Sequence, residues 1–215
     1  MPVVAQARRE DDPDMRRVRL TMTNGKQVEG YILHKYMGWA AQYEVVLADK
    51  PDAKKGKKYK AAKLTKMEWL TPTEEHPEGE VWERCQTIYR YMFRGVKEEC
   101  LLELVYRGQG ASVYRAHIYL VGNGVSAGGS WATWYALKPD GQERAFLLYN
   151  VSMDMMPLSG LAVELQFKEK EEFDGLKDYI RTWWTNDKKL ARKQVHDSPA
   201  IFSTLYDEWK ATAGK

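Results

Sequence analysis

Apolar and polar residues alternate over residues 17–23 and again over residues 26–33. The two runs flank Asn24-Gly25, and alternating runs joined by Asn-Gly predict a β-hairpin. A three-residue loop sets Leu20 opposite Val28 and keeps the apolar side chains on one face. We therefore predict a type I turn with Gly25 in the left-handed conformation at a bulge.

Three further strand-sized runs follow before residue 72. Residues 43–47 and 57–63 are joined by the turn signals Pro51-Asp52 and Lys55-Gly56, which predicts a second hairpin. Residues 67–70 predict a short fifth strand. Short strands in such close succession are typical of a small barrel or curled sheet. We therefore predict a small N-terminal β-barrel-like unit over residues 15–72.

A turn-rich polar stretch, residues 73–80, predicts a connector to a second unit. The pattern then predicts an antiparallel β-sheet unit over residues 81–167. Its clearest element is a hairpin across Pro139-Asp140-Gly141, which separates the aromatic and apolar runs 131–138 and 142–149.

The other elements of this second sheet are less sharply defined by the sequence. Residues 111–121 are strongly β in composition, and residues 161–167 alternate as a final strand. Residues 81–92 fit both a helical stripe and a strand, of which we favour the strand. Residues 100–106 are predicted as a strand but also fit one face of a helix.

Residues 168–215 predict a C-terminal helical segment. From about residue 171 to residue 184 the apolar and aromatic residues recur at helical spacing. Asn186 or Asp187 can cap a short second helix, and Ser198-Pro199 is typical of the start of a third. The predicted fold class is therefore α+β, with the C-terminal helices packed on the second sheet.

Composition is that of a folded globular chain of 215 residues, with 44 % hydrophobic residues and a net charge of +3. This near balance of charge does not by itself indicate a nucleic-acid partner. No run approaches the ~18 to 20 apolar residues that a membrane-spanning helix needs. Cys85 and Cys100 are too few for a disulfide scaffold or a four-ligand zinc site, and they leave open one bridge or two independent thiols.

Residues 1–14 are expected to be a disordered leader or the remnant of a signal peptide. Ala5-Gln6-Ala7 fits a small-x-small cleavage pattern, but the basic and apolar regions that precede such a site are missing. An ordinary frayed terminus explains the same residues.

Two sets of short motifs stand out. The first is Val18-Arg19-Leu20-Thr21-Met22-Thr23-Asn24-Gly25 with Lys57-Lys58-Tyr59, and the second is Leu102-Glu103-Leu104-Val105-Tyr106-Arg107-Gly108 with Tyr179-Ile180-Arg181-Thr182-Trp183-Trp184. Together they resemble a group of uncharacterised, usually exported proteins of Bacteroidetes-type bacteria. The resemblance implies a barrel-like N-terminal unit, C-terminal helices and an extracytoplasmic (periplasmic or exported) location. It implies no catalytic residues, and Lys188-Lys189 replaces a Cys-Pro that is frequent in the group.

The four histidines show no metal-ligand spacing, so we expect no metal and no cofactor. His117 lies in a strand among core residues, where a structural histidine is the commoner explanation. An alternative function is a hydrolase-like enzyme that uses His117 or His196 with a nearby carboxylate. The glycine-rich run 122–130 lacks both the nucleophile-turn and the phosphate-loop motifs and indicates a loop.

The densest cationic cluster is Lys54–Lys60. It could contact phosphates if the chain were a cytoplasmic nucleic-acid binder. A lysine-rich hairpin tip that keeps a sheet edge soluble explains it more simply, so nucleic acid is an alternative and not the expected partner.

Two pairs of aromatic residues are candidate ligand platforms. Tyr36 and Trp39 lie in a loop of small residues, and Trp131 and Trp134 line a strand beside the glycine-rich loop. Exposed aromatic side chains contribute large contact area to protein, peptide or glycan partners. We therefore expect a binding or scaffolding protein without catalytic activity, which is exported as the resemblance implies, and the exposed strand edges allow a homodimer.

Overall fold

The computed structural model describes residues 13–33, 41–74, 76–77, 79–91, 94–120, 130–154, 156 and 171–213. These residues contain ten β-strands and three α-helices, which confirms the α+β class. The chain divides into two compact units. One contains the residues up to Arg84 together with Glu99–Glu103, and the other contains Cys85–Glu98 and the residues from Leu104 onward.

The first unit contains β1 (Arg17–Met22), β2 (Gln27–Ile32), β3 (Glu44–Ala48), β4 (Lys57–Lys60), β5 (Leu64–Trp69) and the start of β6 (Val81–Tyr91). Neighbouring strands follow the order β4-β3-β2-β1-β5-β6 and pair antiparallel. A turn of 3₁₀-helix, Ala61–Lys63, replaces the end of the predicted strand 57–63. Among the described residues, β4 pairs with β3 alone and is the last strand in this order. The predicted closed barrel is therefore not confirmed.

The β1–β2 hairpin has the predicted register. Leu20 lies opposite Val28, and Gly25 has a φ of +80°, which suits glycine. The Gly25 N–H donates to the Met22 carbonyl at 2.9 Å and closes the turn. Alternate side chains of the hairpin, among them Val18, Leu20 and Ile32, therefore reach one core, which also includes Val45, Leu64, Met67 and Trp82.

The second unit is built on the rest of β6, on both ends of β7 (Arg94–Arg107, of which Glu99–Glu103 belongs to the first unit), and on β8 (Ala111–Leu120), β9 (Ser130–Pro139) and β10 (Arg144–Asn150). Successive strands are hydrogen-bonded neighbours. In addition β10 pairs with β6 in parallel, Arg144 with Gln86 and Ala145 with Thr87, so the strands form a closed ring. The prediction of a purely antiparallel sheet was wrong in this respect, because the first and fifth strands of a meander run in the same direction.

The sequence leaves two segments, 81–92 and 100–106, open between strand and helix. The ambiguous segments are both strands, β6 and β7, and the hairpin at Pro139-Asp140-Gly141 is β9–β10. The predicted strand 161–167 and residues 1–12 of the leader lie outside the described residues, and Pro13 begins a 3₁₀-turn that ends at Arg16. Cys85 and Cys100 are buried and are not joined by a disulfide.

Three helices follow: α1 (Asp174–Asn186), α2 (Lys188–Asp197) and α3 (Ile201–Ala213). They pack on the second sheet, as predicted, in a core formed by Val113, Leu137, Phe146 and Leu148 with Leu176, Ile180, Val195, Phe202 and Leu205. The Asp187 side chain caps α2 by accepting the N–H groups of Lys189 and Leu190 at 3.1 and 3.0 Å. None of the helices in the described ranges has the length and apolarity that a membrane crossing requires.

Gly108, between β7 and β8, allows α3 to approach the sheet closely. A Cβ at this position would lie 1.8 Å from Ser203 Oγ and 2.5 Å from the Ala111 carbonyl oxygen. These two groups are themselves hydrogen bonded, because Ser203 Oγ donates to the Ala111 carbonyl at 2.8 Å. A side chain at residue 108 would therefore disturb both partners of a buried hydrogen bond.

We predict that Gly108→Ala lowers the free energy of unfolding by about 1–3 kcal/mol, the usual cost of overpacking a core. Urea-induced unfolding measures this change, and Gln109→Ala at the exposed neighbouring position serves as the control. An unfolding midpoint for Gly108→Ala that equals the control's would contradict the close approach of α3.

Candidate functional site

A turn of 3₁₀-helix, Val151–Met153, follows β10 and places Asp154 beside α2. The Asn150 side chain accepts the Met153 N–H at 3.0 Å and caps this turn. Asp154 then adopts a φ of 50° and a ψ of 47°, the left-handed conformation that aspartate tolerates better than most residues. The turn therefore fixes the position from which the Asp154 carboxylate projects.

The Asp154 carboxylate contacts three side chains from β10 and α2. The Tyr149 hydroxyl donates to Oδ1, and His196 Nε2 lies 2.9 Å from the same oxygen. Arg192 Nε lies 3.9 Å from Oδ2. We call Tyr149, Asp154, Arg192 and His196 the Asp154 cluster.

Burial and hydrogen bonding shift the pKa values of Asp154 and Tyr149 in opposite directions. The bond from the Tyr149 hydroxyl is the main reason that the pKa of Asp154 is lowered, and the His196 contact acts in the same direction. Burial, followed by the bond to Asp154, raises the pKa of Tyr149. At neutral pH the cluster therefore holds an ionised carboxylate and a protonated phenol.

An aromatic layer supports the cluster. The Arg192 guanidinium lies 5.9 Å from the centre of the Trp184 ring, a cation–π contact. Trp184 packs edge-on against Tyr149 at 5.7 Å, and Tyr149 stacks with Tyr135 at 6.4 Å. Because Trp184 and Tyr149 are buried, Arg192 rests on a well-packed surface.

The outward side of α2 carries a row of basic residues, which we call the cationic face: Lys189, Arg192, Lys193 and His196. Their spacing of i, i+3, i+4 and i+7 places them on one side of the helix. All four are exposed, whereas Ala191 and Val195 of the same helix are buried. Lys189 and Lys193 form no ion pair with any residue that the structure describes. The face therefore has positive charge in excess of what Asp154 neutralises.

Exposed apolar side chains border the cationic face. Met153 is 62 % exposed and Leu190 is 51 % exposed, and among the described residues only Tyr106 is a further exposed large hydrophobic residue. Met153 directly precedes Asp154, and Leu190 lies three residues before Lys193 on the adjoining side of α2. Cations and apolar groups thus occur together on this surface.

The two histidines considered as catalytic candidates make different contacts. His117 Nδ1 lies 3.2 Å from Thr133 Oγ1, and the Thr133 N–H donates to Ser152 Oγ at 2.9 Å. His196 contacts the carboxylate of Asp154. The structure thus provides a carboxylate beside His196, and among the described residues no serine or cysteine forms a hydrogen bond with this histidine.

A second polar cluster lies in the first unit. Glu80, which precedes β6, and Glu103 of β7 are 7 % and 6 % exposed. His76 Nε2 lies 3.8 Å from Glu80 and 3.6 Å from Glu103, and the Trp82 indole N–H donates to Glu80. Buried carboxylates require such partners, so we assign this cluster to the stability of the unit. No group of three His, Cys, Asp or Glu residues in the described part of the chain could hold a metal ion.

The predicted aromatic platform is only partly described. Tyr36 and Trp39 lie outside the described residues, as does the side chain of Trp131, whose backbone belongs to β9. Trp134 is half-buried and lies opposite Ala116 and Asn150 on its neighbouring strands. Its indole N–H is buried and has no acceptor among the described residues. The platform stays a prediction.

The lysines of the Lys54–Lys60 cluster are exposed. Lys58 forms an ion pair with Glu44 at 2.8 Å, and Lys57 lies 5.5 Å from the centre of the Tyr59 ring. The strand part of the cluster is β4, at the end of the strand order of the first unit. This cationic cluster and the cationic face belong to different units.

The sequence pattern does not group Tyr149, Asp154 and Arg192. No motif connects these residues to His196, which lies 42 residues after Asp154. The one signal present in the sequence is the helical spacing of four basic residues over 189–196. That spacing indicates a cationic face on the helix, but it does not indicate that the Asp154 carboxylate lies beside this face.

Comparison with known proteins adds no relative. No family model, no curated protein and no solved structure matches this chain. The Asp154 cluster and the cationic face are therefore interpreted from their own geometry.

We predict that Tyr149→Phe raises the pKa of Asp154 toward its usual value, because the Tyr149 hydroxyl is the largest cause of the lowering. A carboxyl group with a lowered folded-state pKa adds stability above its unfolded pKa of about 3.9, and this is lost as pH falls through the folded value. The variant should therefore lose less stability on acidification below about pH 5 than the wild type.

Carboxyl ¹³C titration of Asp154 measures the first effect, and urea unfolding at several acidic pH values measures the second. Tyr135→Phe, which removes the hydroxyl of the neighbouring ring, is the control. An Asp154 titration that is the same in Tyr149→Phe and in the wild type would show that the hydrogen bond does not control this carboxylate.

Proposed function

We propose that this chain is a non-catalytic binding or scaffolding protein that docks an acidic partner protein on the cationic face of α2. The observation that supports the proposal is the row Lys189, Arg192, Lys193 and His196, exposed on a helix whose other side is buried in the core. The proposal includes an extracytoplasmic location, as the sequence resemblance implies.

Electrostatics supports an acidic partner. Lys189, Arg192 and Lys193 are neighbours on one helical face, and like charges at this spacing repel one another. Asp154 contacts Arg192 and His196 only on one side of the row. Carboxylates of a partner would relieve the remaining repulsion and would also steer the partner during association.

The apolar border supports a protein over a glycan or a nucleic acid. Met153 and Leu190 are exposed next to the cations. Exposed apolar side chains rimmed by charge are typical of protein interfaces, in which methionine is enriched. A polypeptide can match both kinds of group at once, with carboxylates for the cations and apolar side chains for Met153 and Leu190.

A synthetic helical peptide with glutamates at i, i+3, i+4 and i+7 and leucines beside them is a suitable probe. We expect the double variant Lys189→Glu/Lys193→Glu to bind it about tenfold more weakly or worse, because attractive pairs of about 0–1 kcal/mol each become repulsive. Fluorescence anisotropy of the labelled peptide measures the affinity. Lys26→Glu/Lys63→Glu changes the net charge equally in the first unit and is the matched control.

The apolar border is tested separately with Leu190→Ser and Met153→Ser. Each is expected to weaken binding of the peptide without changing binding of a heparin hexasaccharide or a short single-stranded DNA, which respond to charge. Unchanged peptide binding in both serine variants, together with tighter binding of one of the polyanions, would argue against a protein partner.

A second candidate function is hydrolysis, because His196 and Asp154 form an imidazole–carboxylate pair at 2.9 Å. A carboxylate orients an imidazole for general-base catalysis, which contributes typically ~10² to 10⁴ in rate. Under this alternative, His196→Gln lowers the hydrolysis of p-nitrophenyl acetate by about that factor, whereas His117→Gln leaves it unchanged. Equal rates for the two variants would eliminate the alternative.

A further inference from the structure

We propose that Arg16 and the loop between β3 and β4 form a binding site for a phosphate group. Both belong to the first unit, so the site is separate from the cationic face of α2. The proposal rests on a buried guanidinium that contacts no carboxylate among the described residues, and on the lysines of the loop to which it is hydrogen bonded.

Arg16 is a buried arginine at the end of the 3₁₀-turn that leads into β1, with 8 % of its surface exposed. Its Nη2 donates to the Pro51 carbonyl at 3.0 Å, and its Nε is buried without an acceptor. No ion pair joins it to a carboxylate in the ranges that the structure describes. Arginine is rarely buried without a partner of opposite charge, because desolvating the charge is costly. The guanidinium therefore keeps the charge and the donors to bind an oxyanion.

The next two arginines along the chain show the usual arrangement. Arg17 and Arg19 of β1 are less buried, and each donates to the Glu29 carboxylate at 2.9 Å. The most buried of the three arginines thus donates to a neutral carbonyl, whereas the other two have an anion. Charge burial favours the opposite order. A role in stability alone does not explain this difference.

The loop that Arg16 contacts is packed in place. The Ala53 N–H donates to the Lys50 carbonyl at 3.3 Å, which closes a turn around Pro51. Ala53 also packs against a small apolar cluster that comprises Leu33, Val46 and Ala48. These contacts hold the Pro51 carbonyl, and the residues on both sides of it, beside the Arg16 guanidinium.

Lysines outnumber carboxylates in this loop. Lys50 opens the turn, and Lys54 and Lys55 follow it; all three are exposed. None of them forms an ion pair with any residue that the structure describes. Asp49 and Asp52 lie in the same loop and are exposed as well. The excess of positive charge favours an anion with more than one charge over a single carboxylate.

A phosphate group suits these residues. The planar guanidinium pairs with two phosphate oxygens at once, and lysine adds compact positive charge. A phosphate monoester carries about −1.5 to −2 charges at neutral pH, more than a carboxylate does. Because little of Arg16 is exposed, a terminal phosphate or the free ion reaches it more readily than a phosphodiester inside a nucleic-acid chain.

The test is an NMR titration of the ¹⁵N-labelled full chain with sodium phosphate at neutral pH, with sodium chloride at equal ionic strength as the control. We expect a saturable shift of the Arg16 Nε–Hε resonance. Lys50→Gln/Lys54→Gln, at exposed positions, should bind phosphate about three- to tenfold more weakly. Lys26→Gln/Lys63→Gln, near the opposite end of β1, loses the same charge and should bind as the wild type does.

Arg16→Lys keeps the charge but loses the planar fork, and we expect about tenfold weaker binding in a chain whose amide spectrum shows it to be folded. No saturable shift of the Arg16 resonance in the wild type, or an equal shift with chloride, would overturn the proposal. A shift that appears only in Glu10→Gln/Asp11→Asn/Asp12→Asn would also overturn it, in favour of this chain's own carboxylates as the partner of Arg16.

Two further probes distinguish the source of the phosphate group. Glycerol 3-phosphate carries it on a small molecule, and phosphatidic acid in phosphatidylcholine vesicles carries it on a membrane surface. Tighter binding of the vesicles would support the site as one for a lipid headgroup. Tighter binding of glycerol 3-phosphate would support it as one for a free phosphorylated compound.

Discussion

One carboxylate connects the sheet of the second unit to the helix that carries its exposed charges. Asp154 stands in a left-handed turn that Asn150 caps, and it accepts hydrogen bonds from Tyr149 on the strand side and His196 on the helix side. Arg192 lies near its second oxygen and rests on Trp184. The arrangement of the cationic face therefore depends on an anion fixed by the backbone of the sheet.

The same carboxylate neutralises part of the positive charge of the cationic face. Its lowered pKa keeps it ionised at neutral pH, where it partly neutralises the charge of Arg192. Lys189 and Lys193 stay unpaired among the described residues, and the exposed Met153 and Leu190 lie at the borders. This combination of charged and apolar groups is what supports the proposed attachment of an acidic protein surface.

The pattern of residues along the chain predicted hairpins and helices. It did not predict the contacts between segments that are distant in the sequence. The loop length of the first hairpin set Leu20 opposite Val28, and helical spacing predicted the three helices. The parallel pairing of β10 with β6 joins Arg144 to Gln86, and no alternation of residues encodes which strand closes a ring. The Asp154 cluster is equally non-local. Asp154 follows β10 and His196 lies in α2, so their contact depends on how the helix packs on the sheet. Only its basic residues were visible in the sequence, as helical spacing over 189–196.

The most direct measurement is an NMR chemical-shift map of the full chain titrated with the helical glutamate peptide. If the cationic face docks acidic protein, the largest saturable changes fall on the amides of residues 189–196 and of Met153 and Asp154, and they weaken together as salt is added. A map in which α2 and the Asp154 turn do not shift at saturation would contradict the account.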